Sequence, residues 1–190
     1  MKGRPIDRVH QAVLIASLLP LSWLGMMAVH EFGHVLGAWA TGGTVTEVVL
    51  HPLAISRTDV RPNPRPLIVV WAGPLIGTLL PAAALAAAVL VRLPGAFLLR
   101  FFAGFCLIAN GAYIGVGSLS GTGDAGVMLR HGSPPWALWL FGLAAVAAGL
   151  RLWHRLGAAF GLGPEGREVR PVTAWGVFAL LVLVVIVTSL

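Results

Sequence analysis

The sequence predicts an all-α polytopic membrane protein with about five transmembrane helices and a short β-hairpin after the first. The 190-residue chain is 57% hydrophobic and only 11% charged, whereas a soluble domain is about 45–50% apolar and about 25% charged. Mean hydropathy is +0.87. Five stretches, at roughly 11–40, 67–91, 96–118, 134–153 and 172–189, have the length and apolarity of spans, since crossing a bilayer takes about 20 mostly apolar residues. Between the first two lie a pair of β-branched runs with a turn signal.

The first element opens on a basic segment, "MKGRPIDR", and turns apolar, as a secretory leader does. Its run continues to Ala40 and "SLLPLSW" offers no small-residue cleavage site, so it reads as a retained membrane helix. It is too long for one upright span, and a tilt, a bend at Pro20 or a half-buried start is expected. Residues 42–66 open with Gly-Gly and hold β-branched runs at 44–50 and 54–60, with Pro52 near the turn between them. That is the pattern of a hairpin, here at the membrane surface. Residues 119–133 form a glycine-rich break with one acid, and residues 154–171 read as a polar surface connector. The last stretch has no ionisable group and reads as a lipid-facing anchor.

The chain is expected to be a single membrane-embedded domain, 1–190, with a core at about 11–133 and two additional spans in 134–190. Its net charge of +6 comes from basic residues scattered between apolar runs. These read as topology signals at membrane borders, with no nucleic-acid partner. Five spans put Lys2, Arg4, Arg8, Arg92, Arg100, Arg151, Arg155, Arg167 and Arg170 on one side and Arg57, Arg61, Arg65 and Arg130 on the other. The positive-inside rule then places the N-terminus in the cytoplasm, with the cell membrane as the expected location. The one cysteine, Cys106, excludes an internal disulfide and reads as a small buried apolar residue.

The chemistry concentrates in "MMAVHEFGHVLGAW", residues 26–39. Residues four apart share a helix face, so His30 and His34 can point two imidazoles at one metal ion. Glu31, offset around the helix, can reach a water on that metal: the H-E-x-x-H arrangement of two zinc ligands and a general base. Zinc lowers the pKa of its water to about 7, and the glutamate moves the proton to the leaving amine. An acid within a membrane helix costs about 2.5–3.5 kcal/mol on insertion scales and marks function by default. Small Gly33 leaves room for close approach of backbone or substrate.

A catalytic zinc needs a third protein ligand. The extended motif H-E-x-x-H-x-x-G-x-x-H would supply it at position 40, but Ala40 stands there. Asp124 is the acid placed in a break directly after a span, with flexible "GTG" and "AG" on either side. It is the first choice, with His131 and His51 as alternatives. Asn110 is an amide in an apolar span. It is either an oxyanion or substrate-backbone donor or an interhelical hydrogen bond that fixes packing. Tyr113 and the seven tryptophans read as packing and interfacial residues.

With "HEFGH" at 30–34, "WAGPLIG" at 71–77 and "IANGAYIGVGSLSGTGDAG" at 108–126, the chain resembles the site-2 proteases, intramembrane zinc metalloproteases. The resemblance covers roughly residues 20–130. It implies His30, His34 and Asp124 as ligands of one Zn2+ and Glu31 as catalytic acid/base. It further implies a membrane-protein or membrane-anchored peptide substrate, cut in or near its transmembrane segment within the lipid bilayer. Many members carry a Leu-Asp-Gly type motif; here Asp124 stands between Gly123 and Ala125, and no PDZ insert is visible. Rival readings are a catalytically silent zinc- or partner-binding protein of the same fold and an ion- or proton-coupled transporter using Glu31 and Asp124. The i, i+4 histidine pair favours the protease, because a relay needs no such spacing.

Overall fold

One helix organises the fold, which is taken from a computed structural model describing residues 5–189. Helix α1 (Pro5–Ala40) runs unbroken through Pro20 for 36 residues. At 1.5 Å per residue it is about 54 Å long, well beyond a hydrocarbon core of about 30 Å. It starts earlier than the apolar pattern indicated, at the charged Asp7–Arg8 turn. The basic residues Lys2 and Arg4 lie outside the described residues.

A turn at Thr41–Gly43 leads into β1 (Val45–Val49) and its antiparallel partner β2 (Arg57–Val60). Four more helices of spanning length follow: α2 (Pro66–Leu90), α3 (Ala96–Ser120), and, after the short α4 (Gly123–Arg130), α5 (Pro135–Trp153) and α6 (Pro171–Ser189). Five described helices are thus long and apolar enough to cross a membrane. The chain is an integral membrane protein of the expected class, with its hairpin after the first helix.

The two halves of α1 do different work. Its first half packs Leu14 and Leu18 against Ala174 and Val177 of α6. Leu156, Phe160 and Val169 complete this cluster, and the Gln11 amide donates to the Phe160 carbonyl at 2.8 Å. The stretch 154–171 is therefore more than a polar connector: its apolar positions dock through a 3-10 turn at Gly157–Phe160. Likewise α6 is lipid-facing on one side only, because its other side closes on α1.

The second half of α1 meets α2 at very short range. A Cβ on Gly33 would strike the Ala72 carbonyl, and one on Gly37 would meet Val69 Cα at 3.1 Å. The space beside Gly33 is filled by backbone, settling the alternative in favour of packing over substrate. On the far side α3 and α5 pack through Gly111 and Gly142, where an added Cβ would lie 2.9 Å from the opposing carbonyl in either direction. Such small-residue contacts let membrane helices approach where lipid removes the hydrophobic drive to associate.

Candidate metal centre

His30 and His34 project from one face of α1 into the angle between α2 and α3. Both are buried, as is Glu31 at 4% exposure. The close α1–α2 packing makes room for His34, since a Cβ on Gly73 would fall on its ring. Gly77, a turn further on, makes the same allowance for the Asn110 amide. This is what the small positions of "WAGPLIG" do.

Each ring is held at Nδ1. The His34 Nδ1–H donates to the Val69 carbonyl at 2.8 Å, and the His30 Nδ1–H donates to Asn110 Oδ1 at 2.6 Å. The Asn110 amide orientation follows from its other end, where Nδ2 donates to the Cys106 carbonyl at 2.9 Å. Both acceptors are oxygens, so both hydrogens sit on Nδ1 and both Nε2 lone pairs face inward. Those two nitrogens lie 3.1 Å apart.

Asp124 enters from the first turn of α4, after α3 has ended at a left-handed Gly121 (φ 66) and the chain has turned again at Gly123 (φ 56). Its Oδ2 is 2.8 Å from His30 Nε2 and 3.3 Å from His34 Nε2. The glycine-rich break contains a helix that sequence reading did not resolve, and this helix delivers the acid.

Three acceptor atoms of His30, His34 and Asp124 thus converge within 4.8 Å of one another. Turned inward together, they repel unless a positive charge lies among them. Ligand atoms around tetrahedral zinc lie roughly 3.3 Å apart, given bonds of about 2.0–2.1 Å. The donor set and its spacing therefore fit a zinc ion, and the Nδ1 acceptors are the usual outer partners of metal-bound histidine. Among the described residues neither His131 nor His51 joins the cluster; His51 Nδ1 accepts from the Leu53 N–H at 3.1 Å within the hairpin loop.

The sequence matches the Peptidase M50B-like family over residues 9–114. The chain belongs to that family, the site-2 proteases. No curated protein and no solved structure matches it. The M50B-like match takes in His30, Glu31, His34 and Asn110 and stops short of Asp124, so the third converging residue stands on its sequence setting and its geometry. Family members are zinc metalloproteases.

A cavity of about 650 Å3 opens onto the cluster, walled by Trp23, Met26 and Met27 of α1, Val69 of α2 and Ala109 of α3. Two of its residues in this M50B-like chain escaped sequence reading. Thr58 of β2 donates its hydroxyl to Glu31 Oε2 at 2.8 Å. Tyr113 sets its ring edge-on to His30, centroids 5.8 Å apart, and its hydroxyl accepts the Asp124 backbone N–H at 3.1 Å. Tyr113 was read as packing or anchoring; it also fixes the turn that carries Asp124. The hairpin meets the cavity through its second strand. Residues 54–58 and Val60 line it and 45–49 do not, and Thr58 of β2 reaches Glu31 within α1.

Proposed function

We propose that this chain is an intramembrane zinc endopeptidase that hydrolyses peptide bonds in or near the transmembrane segments of membrane-embedded or membrane-anchored substrates. The observation that carries the reading is the convergence of two Nδ1-anchored imidazoles and one carboxylate at 2.8–3.3 Å. In this reading His30, His34 and Asp124 hold one zinc ion. When bound, zinc supplies Lewis acidity to the scissile carbonyl and acidity to a water.

The chain's own groups do the rest. Glu31 accepts the proton of the attacking water and returns it to the leaving amine, steadied meanwhile by the Thr58 hydroxyl. Asn110 and the Val69 carbonyl orient the two rings, and Tyr113 steadies the turn before Asp124. The apolar cavity wall receives the side chains of an unwound substrate segment. That segment needs partners for its freed backbone groups, since unpaired ones cost several kcal/mol in hydrocarbon. The edge of β2 not paired with β1 supplies them by strand addition. The whole chain acts as one domain, with α5 and α6 supporting a core at about 11–133, in the cell membrane with its N-terminus cytoplasmic.

The test is cleavage of a co-reconstituted panel of single-span peptides by wild type and Glu31→Gln, with zinc content measured on the same samples. The isosteric amide removes the base and no ligand. Turnover should fall at least about 100-fold with zinc retained at one equivalent. Normal turnover overturns the mechanism, and zinc bound by a wild type that cuts nothing in the panel favours the silent alternative.

A further inference from the structure

At the end of the bundle remote from the metal centre, Arg100, Arg151, His154 and Arg155 line a second cavity of about 610 Å3. Asn110, which holds His30, lies about 15 Å along α3 from Arg100, so the two sites are set apart along that helix. The Arg100 guanidinium closes the end of α5, donating from Nε to the Leu152 carbonyl at 2.6 Å and from Nη2 to the His154 carbonyl at 2.8 Å. Of its five N–H groups, three remain for other partners. Arg151 and Arg155 are exposed, and among the described residues no carboxylate pairs with either. Arg155 stands at φ 58, a left-handed conformation that strains a residue with a Cβ. Arg155 is the third arginine at the cavity.

The neighbouring surface decides what kind of anion belongs there. Trp136, Leu140, Leu143 and Leu150 are all exposed. Their spacing puts them on one stripe of α5, and the stripe ends at His154, where the arginines begin. A soluble anion has no use for such a track, whereas a lipid presents a phosphate and acyl chains in this order.

We propose that this cavity binds an anionic phospholipid, its headgroup phosphate held by Arg100, Arg151 and Arg155 and its acyl chains laid along the exposed stripe of α5. With three cations clustered, a headgroup carrying two phosphates binds more tightly than one carrying a single phosphate, and a neutral lipid binds least. Basic pockets between membrane helices hold headgroups in this way.

The experiment is native mass spectrometry of the full chain exchanged into detergent with defined lipid: phosphatidylcholine, phosphatidylglycerol or cardiolipin, each with and without a large excess of inorganic phosphate. Wild type is compared with Arg151→Gln/Arg155→Gly and with Arg130→Gln, which removes one exposed cation on α4 beyond the other end of α3. Glycine suits the left-handed position, so thermal stability in phosphatidylcholine should not fall in the double variant. Each arginine near an anionic headgroup gives a preference of about fivefold, so the double variant should lose about 25-fold in cardiolipin affinity. Arg130→Gln should lose none, and inorganic phosphate should displace no lipid. Equal retention in wild type and double variant overturns the proposal. So does an equal loss in Arg130→Gln, which would mean diffuse charge, or displacement by inorganic phosphate, which would mean a solute site.

Discussion

The Thr58 hydroxyl of β2 lies 2.8 Å from Glu31 Oε2 and donates to it. The hairpin is thereby joined to the acid of the H-E-x-x-H motif, and not merely a connection between two spans. Thr58→Val keeps the shape of the side chain and removes the donor. Without that donor the carboxylate is held less firmly in place, and misplacing a catalytic group is costly, so kcat should fall by roughly tenfold or more. Zinc content and thermal stability should stay near wild type. An unchanged kcat would mean that the contact only anchors the hairpin.

Asp124→Ala should sharply weaken zinc binding, while Glu47→Ala and Asp59→Ala should not. All three are acids, but only Asp124 lies beside the two imidazole nitrogens. Glu47 and Asp59 share Arg57 on the exposed hairpin, at 3.1 and 3.3 Å, and such surface pairs contribute little. Competition with a calibrated chelator measures all three. Unaltered affinity in Asp124→Ala would put the third ligand elsewhere.

Asn110 separates two roles experimentally. If it orients His30, Asn110→Leu should cost about 10–100-fold in zinc affinity. Asn110→Asp, which still offers an oxygen to Nδ1, should recover most of that loss. If it serves the oxyanion instead, zinc affinity stays constant in both variants and only kcat falls. Its Oδ1 is 2.6 Å from the His30 ring, so the first outcome is expected.

Strand addition along β2 makes a prediction in alternating register. Successive backbone N–H groups of a strand point to opposite edges, and proline removes one. Proline at Arg57 or Asp59 and proline at Thr58 therefore strip opposite edges, with Thr58→Val as the side-chain control for the latter. One set should raise the substrate KM or stop cleavage with zinc and folding intact. If neither set alters the kinetics, the substrate segment is held by another part of the cavity.

Much of the fold was open to reading because hydropathy is local: each apolar run declares its own span, and helix ends fell within a few residues except at α1. The metal cluster was partly readable for the same reason. His30 and His34 are four apart on one helix, and that spacing is enough to bring them together. Asp124 could be singled out by its glycine flanks, although these gave no hint that it sits on a helix. Thr58, Tyr113 and the partners of Asn110 could not be read, because their positions depend on how β2, α3 and α4 come to rest against α1. Thr58 is one hydroxyl in a short strand of no unusual composition. Tyr113 acquires its role only when α4 folds back at Gly121 and Gly123. The apolar docking of Leu156, Phe160 and Val169 was masked by the charged and glycine residues around them.

The contact between His30 and Asp124 spans 94 positions of chain. Between its ends lie the rest of α1, the whole hairpin, α2 and all of α3. Bringing two points so far apart into contact closes a long loop, and any clip at that junction removes freedom from everything inside it. Two of the converging atoms ride on a long rod and the third on a two-turn piece jointed to its neighbour by left-handed glycines. A cation seated among them is therefore a fastener as well as a reagent. Chelation should first be felt as faster amide exchange in α4, with the long helices following only later.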